Sequence, residues 1–238
     1  MDFKFLQPGS TFYKIAEWIQ RLVYVNLLWI LFSLVGLVVL GIMPATAALY
    51  EIIRRWNNGV TSFPVFKTFW REYRAKFIKA NLLGIIMAFL GYLLFFNIQY
   101  YQQQSGQIYI YFYYLSWVLV FFYGITLVHL FPLLANYELK LHHLLKNSLF
   151  ICILNPGYTL MIIAGTAVIG LVFLLLPSLI PFLGLSSVAF FNTWGAKKSF
   201  AKTENKIKEH RKDDTEDTEG TANNLNDKTA ENIEDTEN

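Results

Sequence analysis

Three stretches without Asp, Glu, Lys or Arg dominate the chain: Leu22–Tyr50, Ala80–Tyr137 and Asn147–Ala196, of 29, 58 and 50 residues. Within them Val35–Leu40 and Leu171–Leu176 are apolar at every position except glycine. A membrane β-barrel has short segments of alternating polarity instead. Hydrophobic stretches beyond about 18 residues are long enough to cross a bilayer, and in hydrocarbon the backbone must pair within its own helix. The pattern predicts an all-α integral membrane protein with about five transmembrane helices, over 22–43, 77–98, 108–130, 158–176 and 178–196.

The breaks between these runs order the elements. Pro8-Gly9-Ser10 reads as a turn with Ser10 as N-cap. Phe12, Ile15, Ala16, Ile19 and Leu22 then recur at helical spacing, an amphipathic lead-in at the headgroups. Pro44 ends the first span, because proline has no N–H for an interior helix bond. A short helix over 45–56 rises about 18 Å, too little to cross the hydrocarbon. Asn97–Gln107, with five Gln and no charge, forms the non-cytoplasmic loop between spans two and three. Tyr100, Tyr101, Tyr109, Tyr111, Phe112, Tyr113 and Tyr114 flank it as an interfacial belt. Pro132 ends or kinks the third span, Pro156 breaks the chain before the fourth, and Pro177–Pro181 turns into the fifth.

Charge sets the expected orientation. Glu51–Lys79 holds seven basic residues against Glu51 and Glu72, a net +5, and the positive-inside rule assigns so basic a short segment to the cytoplasm. Five spans then put the N-terminus outside and the C-terminus inside, the preferred reading. The alternative is a helical hairpin between residues 22 and 56, with 41–44 at its tip, which keeps both termini inside. Residues 1–196 form the membrane domain, with net charge +7. Residues 197–238 carry 8 basic and 12 acidic residues. That tail has too few large apolar side chains to offset chain ordering and is expected to be a disordered, acidic, cytoplasmic segment. The single cysteine, Cys152, excludes an intrachain disulfide and a cysteine metal cluster. Although Ala45-Thr46-Ala47 mimics a signal cleavage site, the 22-residue run before it is read as an anchor.

Candidate chemistry is sparse. Asn26 and His129 are the intramembrane polar candidates. His129 is read first as a satisfied neutral histidine beside Thr126, and second as a ligand or proton site. Asn26, Asn81 and Asn147 open apolar runs and are read as helix-packing groups. Arg54, Arg55, Arg71, Arg74, Lys76 and Lys79 are assigned to the membrane surface or to partner contact. His142-His143 with Glu138 makes at most a partial metal set, so no metal and no cofactor is expected. No catalytic residue is assigned, since HExxH, P-loop and GxGxxG patterns are absent from the sequence. The aromatics lack the interleaved basic residues of a nucleic-acid platform. The expected partners are the lipid bilayer and a membrane transporter or sensor subunit.

The segments Asn26-Leu27-Leu28-Trp29 and Gly41-Ile42-Met43-Pro44-Ala45-Thr46-Ala47-Ala48-Leu49-Tyr50 resemble the bacterial YesL family of small integral membrane proteins with a domain of unknown function. The likeness continues through Gly59, Phe66, Phe69, Trp70, Pro132-Leu133, Tyr137 and Leu145–Leu149, and covers about residues 5–196. Genes of that family often lie beside carbohydrate importers and two-component regulators in Gram-positive bacteria. The resemblance therefore implies a bacterial cell-membrane protein that is an accessory to carbohydrate uptake or its sensing. A small solute transporter is the alternative. The resemblance transfers no catalytic residue.

Overall fold

Each long apolar run folds as helix, and the computed structural model describes residues 11–136, 143–144 and 156–198. The Ser10 cap, most of the 136–146 segment including His142, Cys152 and all but the first two residues of the tail lie outside the described residues. In chain order the helices are α1 Thr11–Val35, α2 Val39–Asn57, α3 Val65–Gln102, α4 Gln107–Asn136 and α5 Pro156–Leu175. A 3-10 turn over Pro177–Leu179 leads to α6, residues 180–198. There is no strand among the described residues. Five helices are long and apolar enough to cross a membrane: Phe12–Val35, Val65–Gln102, Gln107–Ala135, Pro156–Leu175 and Pro177–Lys198. This is a multi-pass membrane architecture of helices.

The first span does not run to Pro44. It stops at Val35, and the chain reverses through Gly36-Leu37-Val38. Val38 N–H donates to Ser33 O at 2.8 Å and Leu37 N–H to Leu34 O at 3.0 Å, the paired bonds of a Schellman motif. Leu37 takes the left-handed position, at φ 58°, where glycine is usual. Val38, at φ 61° and ψ −67°, closes a strained γ-turn in which Val39 N–H donates to Leu37 O at 2.7 Å. A Cβ on Gly36 would overlap the Gly41 backbone, and one on Gly41 the Ser33 carbonyl. The two glycines therefore let α1 and α2 fold tightly against each other.

Pro44 lies inside α2. The helix is 19 residues long rather than the expected 12, about 28 Å at 1.5 Å per residue. Having no N–H, Pro44 cannot bond Leu40 O in the helix ladder. That carbonyl instead accepts from Asn81 Nδ2 of α3 at 3.0 Å. Pro132 is also interior, within α4, and does not end it. Pro156 opens α5, where a missing N–H costs nothing.

α2 is the centre of the packing. Gly41, Pro44–Ile53 and Trp56 are all buried, so every face of the helix is covered. The small residues Ala45, Ala47 and Ala48 allow neighbouring backbones to come close. Trp29 Nε1 of α1 donates to Thr46 Oγ1 at 3.0 Å. Phe32 packs within 5.1–5.8 Å of the Phe66, Phe69, Trp70 and Tyr73 rings of α3. Gly84 of α3 admits Met43, and Gly91 admits the Tyr123 ring of α4.

The chain thus forms three successive hairpins, α1/α2, α3/α4 and α5/α6. Trp18 of α1 stands 6.3 Å from Trp56 of α2 and 5.2 Å from Phe190 of α6. Lys197 Nζ donates to Asn57 O at 2.9 Å. The beginning of α1 and the ends of α2 and α6 therefore meet. α2 carries the chain back along α1, the path that the hairpin alternative describes.

Candidate functional site

The charged segment is not a loop. It comprises the last turns of α2, a connection over 58–64, and the first four turns of α3. Asn58 and Gly59 carry the turn, with Gly59 at φ 85°. Residues that hydropathy reads as one basic linker are thereby set on two packed helices.

Glu51 is the hub. Its side chain is only 4% exposed, just under two turns from the end of α2. Its carboxylate accepts from Arg54 at 2.7 Å, Arg55 at 3.0 Å and Lys76 at 3.2 Å. Burial on its own would raise the Glu51 pKa; the Arg54 hydrogen bond and the Lys76 and Arg54 charges outweigh burial and hold the carboxyl below its ordinary value. Glu72 on α3 is the second carboxylate, facing Arg71 at 3.2 Å, Arg55 at 3.5 Å and Lys76 at 3.6 Å. Four cations and two carboxylates thus lock α2 to α3. The sequence offered a partial signal, since Glu51 precedes Arg54 and Arg55 by three and four residues and Glu72 precedes Lys76 by four. The bond between Glu51 and Lys76, 25 residues apart, had none.

The candidates divide accordingly. Arg54, Arg55, Arg71 and Lys76 belong to the network. Arg74 instead lies over the Trp70 ring, 5.6 Å from its centroid. No carboxylate pairs with Lys67, Arg74 or Lys79 among the described residues. Arg55, Lys67, Arg71 and Arg74 line a groove of about 660 Å³, walled by Phe63 and Trp70.

The intramembrane candidates are elsewhere in the molecule. Asn26 is buried and uses both ends of its amide: Nδ2 donates to Pro181 O at 2.8 Å and Oδ1 accepts from Ser186 N–H at 3.1 Å. It therefore fastens α1 to α6. His129 is fully buried, with Nε2 at 3.2 Å from Thr159 Oγ1 of α5, while Nδ1 has no partner among the described residues. Thr126, the neighbour expected from sequence, bonds Phe122 O in its own helix. A third polar set had not been singled out: Thr166 donates to Asn192 Oδ1 at 2.9 Å, and Asn192 Nδ2 to Tyr50 Oη at 3.3 Å. It joins α5, α6 and α2 over sequence separations no local pattern reveals. No group of three or more metal-ligating side chains occurs among the described residues.

The family model described as "Protein of unknown function, DUF624" matches residues 22–98. That interval holds the α1/α2 turn, all of α2 and the ion network. Three proteins of Bacillus subtilis (strain 168) are similar over longer stretches. "Uncharacterized protein YteU" is 35% identical over 177 residues, 74% of this chain and 79% of its own. "Uncharacterized protein YesL" is 35% identical over 150 residues, 63% and 70% respectively. "Uncharacterized protein YesV" is 31% identical over 194 residues, 81% and 92%. No solved structure matches. On identity of this level across most of three relatives, the chain belongs to the DUF624 family of YesL, YteU and YesV.

Proposed function

We propose that the chain is a non-enzymatic accessory of carbohydrate uptake or of its sensing, acting through contact with a transporter or sensor subunit in the bacterial plasma membrane. One observation carries this reading. The polar groups of the membrane domain are largely spent on one another: both ends of the Asn26 and Asn192 amides are bonded, and Glu51 holds three cations. A solute path needs polar groups that face a lumen, whereas these tie helices into one body. Such a body suits stable lateral contact. The gene neighbourhood of the resembling family supplies the lean toward carbohydrate import.

In this reading the charged end is cytoplasmic. Support comes from the net +5 of Glu51–Lys79 together with the Lys197–Asn57 bond, which brings the end of α6 to the same end of the molecule. The C-terminus is then cytoplasmic, and so is the start of α1. Crosslinking in cells grown on an inducing sugar, followed by isolation in mild detergent, recovers a stoichiometric membrane partner. A chain that stays solitary under those conditions overturns the proposal.

The alternative is a small solute transporter in its own right, and the unpartnered Nδ1 of buried His129 favours it. Reconstituted in liposomes, such a protein moves a solute and loses that flux in His129→Ala. Absence of flux across a broad solute panel removes this alternative.

A further inference from the structure

The ion network does not use up the charge of this end of the molecule. Four cationic side chains, Arg55, Lys67, Arg71 and Arg74, line the groove at the start of α3, and no carboxylate lines it. Glu51 and Glu72 hold Arg55 and Arg71 from the network. Lys67 and Arg74 keep no carboxylate partner among the described residues. A concave surface with this lining selects an anion.

The groove's position narrows the choice of anion. α3 enters its uncharged run at Ala80. Arg74 lies about 9 Å before that point along the helix axis, close to the roughly 5–8 Å depth of the headgroup layer on each side of the hydrocarbon. Phe66 and Trp70 are 52% and 40% exposed on the same turns, and Ile78 is 81% exposed toward the run. Interfacial aromatics beside basic residues, with an apolar helix surface leading away, match a headgroup joined to its acyl chains. A free phosphate or an acidic peptide makes no use of that apolar continuation.

We propose that this groove binds the phosphate of one anionic phospholipid, with Lys67 and Arg74 as the principal charge contacts and Trp70 against the glycerol region. The proposal is independent of the accessory reading, since a transporter or an accessory would hold the same lipid.

The test is a titration of the full chain in mild nonionic detergent, read by native mass spectrometry. Phosphatidylglycerol is compared with phosphatidylcholine of the same acyl length. The expected result is retention of one phosphatidylglycerol in preference to phosphatidylcholine, weakening as salt is raised. Lys67→Ala/Arg74→Ala binds it about 30-fold more weakly, for two surface charges near an anionic headgroup. Lys14→Ala, on α1, leaves binding unchanged, and the charge-conserving Lys67→Arg retains it. Should the double variant not survive purification, Lys67→Gln alone lowers affinity about 5-fold. Equal retention of the two lipids overturns the proposal, as does undiminished binding by the charge-removing variants. Displacement by inorganic phosphate or polyglutamate at equal concentration also overturns it, by identifying a site for soluble anions.

Discussion

α2 and α5 are nearly equal in length, 19 and 20 residues, and opposite in environment. α2 has 12 buried residues and falls outside the set of helices apolar enough to cross a membrane. α5 belongs to that set and buries only Thr159 and Ile162. The contrast follows from the solvent. In lipid an exposed Leu is already at home, so apolarity marks the surface of the bundle; small and polar residues mark the places where helices meet. Ala45-Thr46-Ala47-Ala48 with Glu51 is such a place, and Leu174-Leu175 is not.

Substitutions that exchange the demands of the two helices test this contrast most severely. Ala48→Leu adds three carbons at a position with no exposure. The expected loss is about 3 kcal/mol, the upper end for overpacking, read as thermal unfolding in mild detergent. Leu174→Ala, where the side chain is 79% exposed, changes stability by less than about 0.5 kcal/mol. A reversed order of the two effects breaks the contrast.

Glu51→Gln probes the polar content of α2. Removing the carboxylate strands Arg54 and Lys76 beside a neutral amide, at a cost of about 3 kcal/mol, the low end for a buried pair because both Arg54 and Arg55 keep some solvent. The Glu51 carboxyl is held below its ordinary value when folded. Its contribution is therefore complete above about pH 4.3 and is lost as pH falls through the lowered folded value. Unfolding measured against pH shows this acid loss in the parent chain and a smaller one in Glu51→Gln.

Smaller effects sharpen the account of how α2 begins. Leu37→Gly relieves a left-handed residue that is 80% exposed and packs little, so stability rises by about 1 kcal/mol. Asn81→Leu costs about 0.6 kcal/mol, an average interhelical hydrogen bond in a membrane. In a Pro44→Ala background that cost shrinks, since the substituted alanine offers Leu40 O a helix N–H of its own. A full double-mutant cycle reads the coupling, and strict additivity contradicts the assignment.

These same residues explain what was legible in the sequence. Length and freedom from charge mark α3, α4 and α5, because lipid selects for both. Leu37 and Val38 are as apolar as their neighbours, so the reversal between α1 and α2 leaves no trace in hydropathy; Gly36 and Gly41 are its only local sign. Pro44 pointed to a helix end because its missing N–H was counted and the compensating amide of Asn81, far along the chain, was not. Basic residues were visible as charge, but their division between the Glu51–Glu72 network and the open groove depends on two helices meeting. The partners of Asn26 are 155 and 160 residues away and appear only in the fold.

The return of the chain through α2 is open to direct measurement. In a Cys152→Ser background, single cysteines replacing Lys14 on α1 and Lys198 at the end of α6 are exposed to a membrane-impermeant maleimide, in sealed cells and in inverted vesicles. Both positions react from the same side if α2 is the return limb of α1. Reaction from opposite sides contradicts it.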